Sequence, residues 1–334
     1  MRRRSFIGAA AAAGVGLFAP QRGEAARINT EPPGPGTSVV HETNIQPPLR
    51  WATASAYEAR TFPNVVYGVA AGHELKLDVY VAQYDWLGFY NQRPKIEARP
   101  TLIYIHGGGW CGGTKEEYAW FTLPFLAAGM NVVNVEYRVA SVSLAPAAVE
   151  DCRCALRWVF RHAQEFGFDT SKLVLDGHSA GGHLSLMTGM LDSSAGFDND
   201  CPGKEDLRVA AIINYFGITD VPDVLEGKNQ QDWAVEWFGS LPDKMELAKR
   251  LSPLTYVRSG LPPIITIHGT KDELVPYQEA VRLHAALDRA GTPNQLVTIP
   301  DGVHGSQFWN REDNWKAQSA IFDFLGKYGV IKTE

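Results

Sequence analysis

Three residues in the order serine, acid, histidine carry the chemistry this sequence suggests: Ser179, Asp272 and His304. Ser179 stands in Gly177-His178-Ser179-Ala180-Gly181, between the apolar run Leu173-Val174-Leu175 and a small-residue helix start at Gly182-His183-Leu184. That pattern reads as a serine raised on a strand-to-helix elbow. The backbone of such a residue is strained, and side chains at 177 or 181 would collide with the neighbouring strand and helix. A glycine-rich turn capped by a serine would show the same five residues, so the rest of the chain has to decide between the two.

A serine hydroxyl is a weak nucleophile near neutral pH and must lose its proton as it attacks, so it needs a base within hydrogen-bond reach. His304, in Pro300-Asp301-Gly302-Val303-His304-Gly305, is the expected base. Asp272, in His268-Gly269-Thr270-Lys271-Asp272-Glu273, is the expected acid, fixing the imidazole tautomer and stabilising the imidazolium. Glu273 is the alternative acid, and Asp301 lies too close to His304 in sequence to belong to a separate loop. A tetrahedral intermediate carries an oxyanion that needs preorganised N–H donors. Gly108 and Gly109 of His106-Gly107-Gly108-Gly109-Trp110 can turn their amides inward, and the Ala180 amide at the helix start is the third expected donor.

The other histidines have structural readings: His106 braces the glycine loop, His178 and His183 flank the elbow and either pack or meet solvent, and His268 ends a strand. Asp176 reads as a structural hydrogen-bond acceptor. Trp110, Trp233 and Trp237 fit either a substrate pocket or the core.

These groups need elements to aim them. Apolar runs at 65–69 and 75–81, the second alternating, flank Ala71-Gly72-His73 and predict an antiparallel hairpin. Continuous apolar runs follow at 102–105, 132–135, 173–175, 212–216, 264–267 and 295–299, as in strands buried in a parallel sheet. Helical patterns lie between them at 118–128 and 147–164 and after the elbow, with later faces through Ala280, Leu283 and Leu287 and through Ile321, Phe324, Leu325 and Tyr328. This alternation predicts an α/β fold, a mostly parallel, doubly wound sheet with helices on both faces. The expected donors, nucleophile, acid and base then all fall at carboxyl ends of strands, where such sheets collect their functional groups. Residues 217–260, with Trp233, Trp237 and Phe238, break the rhythm and read as a short lid over the sheet edge. Residues 84–100 read as a long loop, either at the site mouth or packed on the sheet edge.

Together the motifs resemble the α/β-hydrolase family over roughly residues 60–330, and His-Gly-Gly-Gly-Trp with Gly-His-Ser-Ala-Gly-Gly looks like its hormone-sensitive-lipase-like esterase branch. Glu136-Tyr137-Arg138, Gly217-Ile218-Thr219-Asp220, Ser252-Pro253 and His268-Gly269-Thr270-Lys271-Asp272 look most like small bacterial carboxylesterases of the acetylxylan and feruloyl esterase type. The resemblance implies an α/β-hydrolase fold and a serine carboxylesterase acting on short acyl or aryl esters, small or carbohydrate-linked, with no cofactor or metal. It implies for Ser179, Asp272, His304, Gly108, Gly109 and Ala180 the roles argued above. Val139-Ala140-Ser141, where many relatives have a Leu-Ala-Pro turn, and Cys111, where an apolar residue is common, are departures that bear on the pocket's shape. A serine peptidase of the prolyl-oligopeptidase type would share the elbow and acid loop, but the chain lacks the length for a propeller domain. A noncatalytic ligand-binding hydrolase fold would normally lack a triad member.

Composition sets the outer bounds. The 334 residues are 45% hydrophobic and 20% charged, a globular balance, and the net charge of −6 comes without a clustered basic face, which argues against nucleic acid. Residues 1–26 read as a signal peptide: Arg2-Arg3-Arg4, an apolar run over 6–19, and the small-residue region Gly23-Glu24-Ala25-Ala26. Arg3-Arg4-Ser5-Phe6-Ile7 is similar to a twin-arginine signal, an ordinary Sec signal being the alternative, and either predicts an exported protein. No later run approaches membrane-spanning length. Residues 27–50, with Glu31-Pro32-Pro33-Gly34-Pro35-Gly36, read as a spacer before a domain over 51–334. Cys111, Cys152, Cys154 and Cys201 predict buried free thiols plus one bridge, and 152 and 154 point to different sides of a helix, a poor geometry for ligating one metal.

Overall fold

Each predicted strand joins one sheet in the computed structural model, which describes residues 59–82 and 97–332. The expected export signal, the spacer and most of the 84–100 stretch lie outside the described residues. The strands are β1 (Ala59–Ala70), β2 (His73–Ala82), β3 (Arg99–Ile105), β4 (Asn131–Val135), β5 (Phe168–His178), β6 (Ala211–Tyr215), β7 (Ile264–Gly269) and β8 (Asn294–Ile299), in the order β1-β2-β4-β3-β5-β6-β7-β8. β2 runs antiparallel to β1 and β4, and all later neighbours pair in parallel. This is the α/β-hydrolase architecture, with the elbow strand β5 in the interior of the sheet.

Because successive strand residues face opposite ways, the sheet buries two separate apolar layers. Ile103, Ile105, Leu175 and Ile212 face one layer, while Leu102, Tyr104, Val174 and Ile213 face the other. Helices cover both. In chain order they are α1 (Lys115–Tyr118), α2 (Leu123–Ala127), α3 (Ala147–Arg161), α4 (Ala163–Phe166), α5 (Ala180–Met190), α6 (Val221–Leu225), α7 (Asp232–Phe238), α8 (Lys244–Arg250), α9 (Gln278–Arg289) and α10 (Arg311–Lys327). The first layer takes Val149, Cys152, Leu156 and Val159 of α3 with α5 and Leu283 and Leu287 of α9; the second takes Phe125 of α2 and Ile321, Phe324 and Leu325 of α10.

The helix boundaries depart from the sequence pattern in two places. The single helix expected over 118–128 is broken into α1, a 3-10 turn at Ala119–Thr122 and α2, because Pro124 lacks the N–H that would tie it to the preceding turn and so begins a new helix. The long helix expected over 147–164 stops at Arg161, and α4 is a separate turn closed by Gly167 at φ +70°.

Residues 217–260, expected as a short lid, break the strand-helix rhythm as the pattern predicted. Between β6 and β7 this segment folds into α6, α7, α8 and a 3-10 turn at Pro253–Tyr256, and it buries Trp237 and Phe238 in the same apolar layer as α3 and α5. Its entry is tied down by the buried Glu279 carboxylate, which accepts from Thr219 N (2.9 Å), Thr219 Oγ1 (2.6 Å) and Asp220 N (2.8 Å). Cys154 and Cys201 form a disulfide, and Cys111 and Cys152 are free thiols. Among the described residues no cluster of His, Cys, Asp and Glu is arranged to hold a metal, and no helix is long and apolar enough to cross a membrane.

Candidate active site

The elbow has the geometry its glycines allow. Ser179 adopts φ 57° and ψ −119°, a region that non-glycine residues rarely occupy, and is held there by its amide donating to Tyr215 O (2.8 Å) and its carbonyl accepting from His183 N (3.0 Å). A Cβ on Gly177 would lie 2.4 Å from the Gly181 carbonyl group and 2.7 Å from Ile105 O; one on Gly181 would lie 2.0 Å from Ile105 O. Both clashes are with backbone, so glycine is required on either side of the serine, as the motif predicted.

β7 and β8 supply the other two residues. His304, in the loop after β8, has Nε2 2.9 Å from Ser179 Oγ and Nδ1 2.8 Å from Asp272 Oδ2. Asp272 follows β7, with its side chain buried. Its Oδ1 accepts from Leu274 N (3.0 Å) and Val275 N (2.8 Å), which pins the carboxylate's orientation. Burial alone would raise this carboxyl, but hydrogen bonds from His268 and His304 outweigh it and hold it at about 2. Glu273 is exposed, and Asp301 is exposed and paired with Lys271 (2.9 Å), so neither alternative carboxylate joins the chain. Two neighbours were not singled out by sequence for what they do here. His268 places Nε2 3.3 Å from Asp272 Oδ2, and Phe216 packs its ring on His304 with centroids 4.6 Å apart.

The glycine loop after β3 lies against this elbow. A Cβ on Gly107 would come within 2.8 Å of His178 O. Gly108 and Gly109 take φ +117° and +59°, and the Gly108 carbonyl accepts from both Cys111 N and Gly112 N at 3.0 Å, curling the loop back on itself. His106 braces it as expected, with Nδ1 2.7 Å from Gly107 O and its ring stacked on Tyr137 at 4.2 Å. Ala180 is the first residue of α5 and fully buried. Ser179, His304 and Asp272 are thus brought into one hydrogen-bonded chain, with the loop bearing Gly108 and Gly109 and the start of α5 beside it.

His178 packs, stacked on Tyr215 at 4.1 Å, with Nδ1 2.8 Å from Tyr104 Oη, and burial pushes it down to about 3. Asp176 accepts a hydrogen bond from the Gly177 backbone, while its buried Oδ1 has no partner, and burial pushes the carboxyl up to about 8 against that bond. Trp110 and Trp237 are fully buried and stacked on each other at 4.1 Å, so they belong to the core, while Trp233 is half-buried against the glycine loop. Cys111 Sγ donates to Trp233 O (3.2 Å), and Ala140 N donates to Trp110 O (2.8 Å), so both departures from the family pattern lie against the loop.

Comparison with known proteins adds the family. The BD-FAE family model matches residues 87–287, more than half of the chain, a span that holds the glycine loop, Ser179 and Asp272 but ends before His304. Esterase LipC of Mycobacterium tuberculosis is 27% identical over 237 residues, covering 68% of this chain and 58% of that protein. Esterase LipQ of the same organism is 27% identical over 280 residues, covering 81% and 63%. The chain thus spans about three-fifths of the length of these curated relatives. Among solved structures, the native thermophilic esterase Est2 of Thermogutta terrifontis has 29% identity and a TM-score of 0.66, covering 83% of this chain and 95% of that one. Esterase 2 of T. terrifontis phosphorylated by paraoxon has 26% identity and a TM-score of 0.67, covering 83% and 97%. A matched family model over most of the sheet, carried on an α/β-hydrolase architecture, establishes that the chain belongs to the BD-FAE family.

Proposed function

We propose that the protein is a serine carboxylesterase for short acyl or aryl esters, with Ser179 as nucleophile, His304 as base and Asp272 as orienting acid. The observation that carries this reading is the unbroken chain from Ser179 Oγ through both ring nitrogens of His304 to Asp272, built on a serine held at φ 57°. His304 Nε2 takes the hydroxyl proton as Oγ bonds to the ester carbonyl carbon, and the carbonyl electron pair moves onto its oxygen. The Gly108, Gly109 and Ala180 amides face that oxyanion, each worth about 3 kcal/mol of transition-state stabilisation. As the intermediate collapses, the imidazolium returns its proton to the leaving alcohol. Water then repeats the sequence on the acyl-enzyme, with His304 as base, releasing the carboxylic acid and free Ser179.

Phosphorylation of T. terrifontis esterase 2 by paraoxon supports an activated nucleophile, and its propionate-bound and butyrate-bound forms support short acyl groups. Within the family, the finer reading is a hormone-sensitive-lipase-like enzyme that removes acetyl or feruloyl groups from plant polysaccharide. The basic and apolar N-terminal segment supports export by the twin-arginine route; replacing Arg3 and Arg4 by lysine should hold the precursor in the cytoplasm, and unaffected export would favour Sec.

A panel of aryl esters from acetate to decanoate, with acetylated xylan, a feruloyl ester and a proline amide, tests the substrate assignment. Short acyl esters should be cleaved with a burst of alcohol, and Ser179→Ala should lose roughly a thousandfold or more of the rate. Cleavage of the decanoate alone or of the amide alone, or wild-type rates in Ser179→Ala, would overturn the reading.

A further inference from the structure

The proposed chemistry makes no use of His183, although this fully buried residue lies on α5 one turn past Ser179 and donates its amide to the Ser179 carbonyl (3.0 Å). Its ring joins two other parts of the molecule. Trp110 Nε1 donates to His183 Nδ1 at 3.1 Å, and His183 Nε2 lies 2.7 Å from Leu251 O, just past the end of α8. An indole N–H can only donate and a backbone carbonyl can only accept, so Nδ1 is bare and Nε2 carries the proton. Burial pushes the ring's pKa down to about 4, against the opposing effect of the Leu251 bond, so the acceptor persists at neutral pH.

Trp110 needs such an anchor. It adjoins Gly109 and sits at φ +61°, a conformation that persists in a bulky residue only when its surroundings hold it. Its ring is stacked on Trp237 of α7 (4.1 Å, 16°) and meets the His183 ring edge-on at 4.9 Å. α7 touches the same loop twice more: a Cβ on Gly109 would lie 2.9 Å from Trp233 Cβ, and Trp233 O accepts from Cys111 Sγ. The 217–260 segment is therefore the outer wall of the glycine loop, and His183 is bonded to both.

We propose that His183 is a positioning residue that locks the 217–260 segment onto the glycine loop through Leu251 and Trp110, so that the placement of this segment sets the aim of the Gly108 and Gly109 amides. The proposal rests on the esterase reading above. Its consequence is specific to the transition state: a loosened loop binds the ground-state ester as before and stabilises the oxyanion less.

The test uses His183→Phe, which removes both bonds, His183→Asn, which keeps an oxygen near the Nδ1 position for Trp110, and Trp110→Phe, which removes only the donor and keeps the stacked ring. In His183→Phe and Trp110→Phe, kcat on a short aryl ester should fall about 10- to 100-fold with KM within about threefold. Affinity for an alkylboronic acid, whose adduct mimics the tetrahedral oxyanion, should fall in parallel while inhibition by butyrate stays unchanged. His183→Asn should recover part of the loss, and the double variant His183→Phe/Trp110→Phe should be no slower than the slower single one. Near-UV circular dichroism checks folding, and Trp110→Phe carries the test alone if His183→Phe does not fold. An unchanged kcat, a raised KM at constant kcat, or multiplying losses in the double variant would overturn the proposal. A wild-type protein without ester turnover, its Ser179 unlabelled by an alkyl phosphonate, would instead overturn the esterase reading beneath it.

Discussion

Replacing Asp272 by asparagine tests the hydrogen-bonded chain more sharply than removing the serine, because the structure dictates how the new side chain must sit. Oδ1 of Asp272 accepts from the Leu274 and Val275 amides, at 3.0 and 2.8 Å. In Asp272→Asn the amide oxygen has to take that place, and the NH2 group falls where Oδ2 now receives His304 Nδ1 at 2.8 Å. Two donors would then face each other. His304 can relieve this only by moving its proton to Nε2, which points an N–H at Ser179 Oγ and removes the base. We expect kcat to fall by about 10⁴, with KM on an aryl acetate within about threefold. Stability should change as well: holding the carboxyl at about 2 instead of its ordinary 3.8 is worth about 2 kcal/mol to the folded state at neutral pH. Because the folded value is the depressed one, that contribution is complete above about pH 4 and disappears as the pH falls through about 2. Steady-state kinetics, the rate of Ser179 labelling by an alkyl phosphonate and urea unfolding at pH 7 and pH 3 measure these effects. A loss of less than tenfold in kcat, with labelling at the wild-type rate, would refute the tautomer argument.

Two further outcomes follow from buried groups near the elbow. Asp176 keeps its proton in the folded state up to about 8 and releases it near 4 when unfolded, so the wild-type protein should lose stability relative to Asp176→Asn as the pH rises between those values; a gap in urea midpoint that stays constant from pH 4 to pH 8 would contradict this. Gly181→Ala would place a Cβ 2.0 Å from Ile105 O, where only backbone movement can relieve the contact, and should cost about 3 kcal/mol or more; thermal unfolding within a few degrees of wild type would show that the elbow can yield.

Much of the site could be read before the fold was known, because each motif expresses a constraint confined to a few residues. A Cβ on Gly177 would meet the Gly181 carbonyl group, a steric fact written within five positions, whereas one on Gly181 would meet Ile105 O of the neighbouring strand. The apolar runs that become β3, β5, β7 and β8 are equally local, and their order alone places the loop, the serine, the acid and the base at one end of a parallel sheet. Helix ends were less legible. Pro124 could have signalled the break inside 118–128, since its missing N–H is a sequence feature.

The sequence by itself determined the serine, acid and histidine, the glycine loop and the sheet that presents them, since strand period, turn sterics and proton chemistry all act over short spans of chain. Only the tertiary structure decided what those spans meet. His183 finds Trp110 across 73 residues and Leu251 across 68, Asp272 gains His268 as a neighbour at 3.3 Å, and Asp176 is left with a bare buried oxygen. The 217–260 segment contributes to the core and forms the wall of the glycine loop, because Trp237 and Phe238 find an apolar layer formed by elements far away in sequence. Such contacts depend on which surfaces close packing brings together, and the types of the residues along the chain do not specify that on their own.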